Sequence, residues 1–241
     1  MSVTYGSLGN MGRMGNAMFE IAASVGYGIK HNMPYVFPEW NGFKSFKYPF
    51  PIVQNTGFPI YREPHFHYTE IPKMENVDLF GYWQSKKYWE HCEDFIREIF
   101  EPTDVIKDSI IKLDGNTCAL HIRRGDYLRL KDYHTNLPIE YYKEGMRLVG
   151  ADRNIIFSDD IEWCKENFPD CEFVSTGDSM VDFFTMVQCK NFIMANSSWS
   201  WWASYLSLHQ DKKIIAPKRW FAEKNAHAQT KDLYLPEWIV I

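Results

Sequence analysis

The sequence predicts an α/β fold whose C-terminal half is a parallel sheet with helices on both faces. Strand-like apolar runs and helix-period segments alternate about four times between residues 117 and 216. That alternation is the pattern of βαβ units. Cap residues such as Asp178 stand where helices begin, and the turn Asp114-Gly115-Asn116 separates this regular half from a less regular one.

Taken in order, Gly9 to Gly15 reads as a glycine-rich loop and residues 16–30 as a helix. Residues 38–75 carry Pro38, Pro49, Pro51, Pro59, Pro64 and Pro72 among aromatics. Proline removes ladder donors and breaks helices, so this stretch is expected to be loop and short edge strands. Residues 77–83 read as a strand. Residues 86–100, with Trp89, Cys92, Ile96 and Ile99 at helical spacing, read as an amphipathic helix. In the second half, 117–122 reads as a strand and 138–149 as a helix with Ile139, Tyr142, Met146 and Val149 on one face. A strand at 154–157, a helix at 160–167 and a strand at 171–174 follow. Asp178 then caps a helix bearing Met180, Phe183, Phe184 and Val187. The last elements are a strand at 191–195, a helix at 199–208 and a strand at 213–216. The expected halves are 1–112 and 113–241.

Composition narrows the function classes. Of 241 residues, 45% are apolar, enough for a substantial core. Aromatics reach 17%, with nine Trp; part of that excess suits sugar rings, whose apolar faces stack on aromatic ones. Net charge is −5, which argues against a nucleic-acid partner, since phosphate neutralisation needs a basic face. Five cysteines and no Cys-x-x-Cys pair argue for free thiols in a reducing compartment rather than a zinc site or disulfide framework. With no signal pattern and no membrane-length apolar stretch, the expected location is cytoplasmic.

Three polar clusters follow expected strands, and parallel sheets bind ligands at the carboxyl ends of strands. His121, Arg123, Arg124 and Asp126 follow 117–122; Ser158, Asp159 and Asp160 follow 154–157; Asn196, Ser197 and Ser198 follow 191–195 and open a helix. Arginine forks suit phosphate oxygens. Serines at a helix N-terminus add hydroxyls and free N–H groups for an anion. Asp159 or Asp160 suits a ribose hydroxyl or a guanine edge. Together the clusters read as a site for a nucleoside diphosphate. Each also has a structural reading: a solvated arginine pair, helix N-caps, a satisfied core histidine. No Asp-x-Asp occurs, so the expectation is a diphosphate stabilised by arginine and helix-end dipoles, without a metal. The absence of a Gly-x-x-x-x-Gly-Lys-Ser/Thr loop argues against a P-loop. His65 and His67 lack the further ligands a metal site needs. Trp199, Trp201 and Trp202 read as core more readily than as a sugar platform.

These segments resemble a known family. His121-Ile122-Arg123-Arg124-Gly125-Asp126-Tyr127 is similar to the His-x-Arg-Arg-x-Asp-Tyr signature of α-1,2-fucosyltransferases, and more distantly to α-1,6- and protein O-fucosyltransferases. Gly12 to Phe19, Gly81-Tyr82-Trp83-Gln84-Ser85, Phe157-Ser158-Asp159-Asp160, the run from Cys189 to Ala203, and Ile215 to Phe221 resemble that family's other motifs in the same order. The resemblance implies a GT-B architecture of two Rossmann-like halves facing a cleft. It implies inverting, metal-independent transfer of fucose from GDP-fucose to the 2-hydroxyl of a galactose-terminated glycan. By position, Arg123 would bind the β-phosphate, with Arg124 in support. His121 and Asp159 would contact the nucleoside, with Ser158 and Asn196 in the same donor site. Ser197 and Ser198 would contact the diphosphate. The loop and helix start bearing Gly15, Asn16, Phe19 and Glu20 would face the acceptor. Asp126 is the first candidate for general base, its alternative role being to hold Arg124 or Tyr127; Glu20 is the second. Ala17, Trp83 and Trp199 depart from the family pattern and leave the acceptor open. Transfer with another linkage, or a silent sugar- or nucleotide-binding module, are the alternatives; intact Arg123, Asp126 and Ser197 argue against the module.

Overall fold

A computed structural model describes all 241 residues. The chain divides into two compact units, Met1–Asp104 with Ala228–Leu235, and Val105–His227 with Pro236–Ile241. The division falls at 104/105, ahead of the Asp114 turn. The stretch Ala228–Leu235, expected in the second half, joins the first unit. There Asp232 accepts from the Tyr68 N–H at 3.0 Å and pairs with Lys87 at 2.7 Å. No helix is long and apolar enough to cross a membrane.

The first unit is more regular than its proline content implied. Strands β1 (Ser2–Thr4), β2 (Tyr35–Val36), β3 (Ile60–Arg62) and β4 (Asn76–Phe80) form a parallel sheet in the order β2-β1-β4-β3. Helix α1 (Met14–His31) is buried almost throughout from Gly15 to Gly28, and α2 spans Glu93–Ile99. The strand expected at 77–83 stops at Phe80. Gly81 (φ 155°) and Trp83 (φ 52°) turn the chain there. Trp83 is held in this left-handed conformation by Glu63, which accepts from the Tyr82 and Trp83 N–H groups at 2.7 and 3.0 Å. The helix expected over 86–100 is instead two 3₁₀ turns, Lys86–Tyr88 and Glu90–Cys92, followed by α2. Tertiary contact sets that segment. A methyl group on Gly26 of α1 would lie 2.3 Å from the Tyr88 carbonyl, and His91 Nε2 lies 3.0 Å from the Gly26 carbonyl oxygen.

Helix α3 (Asp104–Ser109) begins at the division, with all but its first residue in the second unit. Then follow β5 (Thr117–Ile122), α4 (Gly125–Arg129), α5 (Ile139–Val149), β6 (Arg153–Ser158), α6 (Ile161–Asn167) and β7 (Glu172–Val174). The remainder is α7 (Ser179–Val187), β8 (Asn191–Ile193), α8 (Ser198–Leu206), β9 (Ile214–Ala216) and β10 (Ile239–Val240). All six strands are parallel, in the order β10-β9-β8-β5-β6-β7. Parallel crossovers are right-handed, so α5 and α6 cover one face and α8 the other. Side chains sort accordingly. Cys118, Leu120 and Ile122 of β5 pack with Tyr141 and Tyr142 of α5 and Cys164 of α6. On the other face His121 meets Trp199 of α8, ring centroids 4.9 Å apart. Gly145 lets α5 lie close on β8, because a methyl group there would sit 2.9 Å from Ile193. The core of this unit is the sheet itself; Trp201 and Trp202 are wholly buried in it.

Candidate active site

Strand β5 is the pivot of the second sheet. The chain runs from β5 to β6 and β7 on one side, then returns to place β8 on the other. A crevice outside the carboxyl ends of strands at such a reversal is where open α/β sheets bind ligands. The carboxyl ends of β5, β6 and β8 carry the three expected polar clusters.

Arg123, just past β5, is clasped by two carboxylates. Its Nη2 donates to Asp126 Oδ1 at 2.6 Å and its Nη1 meets Asp159 Oδ2 at 2.7 Å. Asp126 comes from α4, and Asp159 from the turn after β6. Asp159 also accepts from the Arg124 backbone N–H through Oδ1 at 2.9 Å. Arg124 turns the other way. Its Nε donates to Asp160 Oδ2 at 2.9 Å, and its guanidinium lies 3.7 Å from the ring centroid of Trp163. Asp160 is in turn the N-cap of α6, accepting from the Trp163 N–H, and the Asp160 N–H donates to Ser158 Oγ at 3.0 Å. The arginines are therefore partnered groups rather than a solvated pair. A guanidinium has five N–H groups, and the two carboxylates on Arg123 take one each, so part of its fork remains for a ligand. Three carboxylates face two guanidiniums here.

Gly125 lets this cluster close. A methyl group at that position would lie 2.6 Å from Asp159 Oδ2. Tyr127 of α4 joins the β5 and β8 ends. Its hydroxyl donates to the Asn196 carbonyl at 2.9 Å, and the Arg123 guanidinium lies 5.6 Å from its ring centroid. Asn196 is buried and donates to the Trp220 carbonyl at 2.8 Å, so its side chain fixes the loop after β9. Ser197 caps α8 by accepting from the Trp199 N–H, leaving Ser198 in the first turn of a nine-residue helix. His121 is 5% exposed, and its Nδ1 is buried without a partner. Burial first, and Arg123 second, push its pKa down to about 3, so the ring is neutral across the physiological range.

The first-unit candidates fare differently. Asn16 is half-buried. It donates to the Met11 carbonyl at 3.2 Å and accepts from Gln84 Nε2 at 3.1 Å. Gly15 is buried, Phe19 is 0% exposed and Glu20 1% exposed. Phe19 packs on Trp89 at 5.7 Å and Glu20 stands in the interior, so neither presents a surface to an acceptor. Burial, reinforced by Glu63, raises the Glu20 pKa to about 8. The neighbouring Tyr5 hydroxyl opposes that shift. It is aimed at the Gly81 carbonyl at 2.7 Å, however, and both Glu20 oxygens are without a hydrogen-bond partner. A carboxyl so placed is protonated at neutral pH and is no open base.

Trp163 stands at the candidate site and was not singled out from the sequence; Gly125 and Tyr127 appeared there only within the His121–Tyr127 signature, Tyr127 also as a group that Asp126 could hold. Gly125 stands between Arg124 and Asp126 and carried the available signal. Nothing at Trp163 distinguishes it from a core aromatic until Asp160 and Arg124 are seen around it.

The fold is α/β of the GT-B type. The solved structure of POFUT1 in complex with GDP-fucose matches with a TM-score of 0.56 at 13% identity over 88% of this chain and 97% of that one. The family model for glycosyl transferase family 11 matches residues 43–241, and the chain belongs to that family. Among its relatives are two Escherichia coli proteins. The O-antigen biosynthesis glycosyltransferase WbnK is 32% identical over 65% of this chain and 59% of its own length. An alpha-1,2-colitosyltransferase is 32% identical over 64% of this chain and 59% of its own length. The Homo sapiens galactoside alpha-(1,2)-fucosyltransferase 1 is 25% identical over 68% of this chain and 52% of its own length. The chain thus spans between half and six-tenths of the length of these relatives.

Proposed function

We propose that this protein transfers L-fucose from GDP-β-L-fucose to the 2-hydroxyl of a β-galactoside, with inversion and without a metal. The observation that carries the reading is Arg123, held between Asp126 and Asp159 at the reversal point of the second sheet. In this reading Val105–His227 with Pro236–Ile241 binds the donor, and Met1–Asp104 with Ala228–Leu235 serves the acceptor. As the bond to fucose breaks, charge grows on the departing diphosphate. The uncommitted N–H groups of Arg123 and the first-turn amides of α8 beside Ser197 and Ser198 stabilise it, and such preorganised donors are commonly the largest catalytic contribution. Because three carboxylates compensate the two arginines, the helix end carries a larger share than the arginine count alone suggests. The orphan Nδ1 of His121 is the acceptor that a nucleoside N–H or hydroxyl would satisfy, while Asp159 orients Arg123. Asp126 orients Arg123 as well, and serves the attacking hydroxyl as base if the reaction needs one. The five free cysteines support a cytoplasmic setting.

The relative named alpha-1,2-colitosyltransferase favours a second reading, in which colitose replaces fucose and the linkage is kept. The test is GDP release from GDP-fucose across a panel of β-galactosides in the presence of EDTA. Acceptor-dependent release, with an α-1,2 product by linkage analysis, is the expected result. Loss of release with EDTA would remove the metal-free mechanism. A protein that fails to bind GDP-fucose would overturn the donor.

A further inference from the structure

The second unit holds a cavity of about 440 Å³ that the donor site does not use. It is lined by Lys131, Asp132, Thr135 and Asn136 after α4, and by Arg219, Ala222, Glu223 and Lys224 after β9. The two loops are tied into one wall. His134 and Phe221 form an antiparallel bridge, the Ala222 N–H donates to the Tyr133 carbonyl at 3.1 Å, and the Lys224 N–H donates to the Asp132 carbonyl at 3.0 Å. The cavity is built rather than incidental.

Its chemistry is that of an anion site. Lys224 is partly committed, 3.5 Å from Asp132 and 4.6 Å from the Tyr133 ring centroid. Lys131 and Arg219 form no ion pair, although Asp132 and Glu223 line the same space. Thr135 adds a buried hydroxyl oxygen with no hydrogen-bond partner. Two uncommitted cations against one carboxylate without an ion pair, Glu223, leave the cavity a net positive charge, and with the orphan hydroxyl they suit a charged oxygen group rather than an apolar one. The volume admits a sugar as well as the charge, being within the roughly 300–1,000 Å³ of small-molecule sites. The cavity also adjoins the donor cluster. Asn136 donates to the Tyr127 carbonyl at 3.2 Å, and Tyr127 is the residue whose ring faces Arg123.

We infer that this cavity takes the anionic group, phosphate or carboxylate, of a charged saccharide acceptor. The inference rests on the transferase reading for the word acceptor, and on the cavity alone for the ligand chemistry. Binding of galactose 1-phosphate, galacturonate and galactose is measured by NMR titration, on protein saturated with GDP and again without it. The same titrations are made on the double variant Lys131→Gln/Arg219→Gln. Both residues are exposed, and a thermal melt confirms the fold. At least one charged sugar is expected to bind about tenfold more tightly than galactose, as one or two charge-assisted contacts provide. The double variant is expected to erase that preference and leave GDP affinity unchanged. Preference for galactose 1-phosphate alone assigns phosphate; preference for both charged sugars assigns the shared charge. Equal binding of all three sugars, or a preference that survives in the double variant, would overturn the proposal. Absence of GDP binding would instead sink the transferase reading, since the titration without GDP, compared across the two proteins, still reports on the cavity.

Discussion

Asp159 binds two consecutive residues at once: Oδ2 lies 2.7 Å from Arg123 Nη1, and Oδ1 accepts from the Arg124 N–H at 2.9 Å. One carboxylate thereby sets the direction of the Arg123 side chain and the path of the backbone that carries it. The geometry of the arginine is a property of β6 as much as of β5.

Replacing Arg123 tests the proposed stabilisation of the leaving group. Arg123→Ala is expected to lower kcat by about 100-fold or more, the loss typical when one preorganised donor at a developing charge is removed. Arg123→Lys keeps the charge but cannot span Asp126 and Asp159 with a fork, so it is expected to recover less than a tenth of the activity. Steady-state kinetics on both variants, with GDP affinity measured in parallel, check this. Near wild-type turnover in Arg123→Ala would remove the arginine from the mechanism.

Asp126→Asn separates holding from proton transfer. The amide oxygen can still accept from Arg123, and one of the three compensating charges is gone. GDP is therefore expected to bind more tightly, while kcat falls by about tenfold or less. A fall beyond about 1,000-fold, with loss of the acidic limb of the pH profile, would show that Asp126 is the base.

Gly125→Ala introduces a methyl group 2.6 Å from Asp159 Oδ2, so the carboxylate must give way. Activity is expected to drop by more than tenfold through the displaced Arg123. The cost in stability is expected to be about 1 kcal/mol, because the site lies beyond the carboxyl ends of the strands rather than in the core. Circular dichroism melts and turnover distinguish this from unfolding; unchanged activity would mean that the clasp is not needed.

Glu20 is expected to make stability fall as pH rises. Its folded pKa of about 8 stands above the usual carboxylate value of 4.5. Between those limits the native state holds a proton that the unfolded chain has released. The unfolded chain therefore binds fewer protons, and unfolding free energy declines with pH through that window, levelling above it. Glu20→Gln, neutral throughout, is expected to melt near the wild type at pH 5 and several degrees above it at pH 8. Thermal melts across this range provide the check, and a constant difference would place a charged Glu20 in the native state.

The second half of the fold was legible because its signals are local. Asp160, Asp178 and Ser197 cap helices by their own side chains, and the strand at 117–122 has the expected bounds. The first half was not, because strands of two to five residues owe their existence to distant partners. Ser2 pairs with Asn76, for example, and Ile60 with Asp78. No window of sequence around Ile60 contains that information. The placement of the candidate residues was legible where a motif sits at a strand end, as with Arg123 and Asp159. Phe19 and Glu20 were expected to face the acceptor from their position in the family's motif, and that position does not say that the helix carrying them is buried from Ala17 to Gly28. Trp163 escaped notice because its partner, Arg124, reaches it across a strand order that the sequence does not state.

The strand order also bears on when the site comes into being as the chain folds. The segment between β5 and β8 is about twice as long as that between β5 and β6. Each doubling of a closing loop costs roughly 0.6 kcal/mol in chain entropy. Pairing of β5 with β6 therefore has the lower entropic barrier, and it already unites Arg123 with Asp159. The α8 end arrives only with the later return of β8. A folding intermediate paused between those events would own the arginine without the helix terminus beside it. Any ligand that needs both would act as a late-stage folding aid, favouring the completed sheet over its half-assembled precursor.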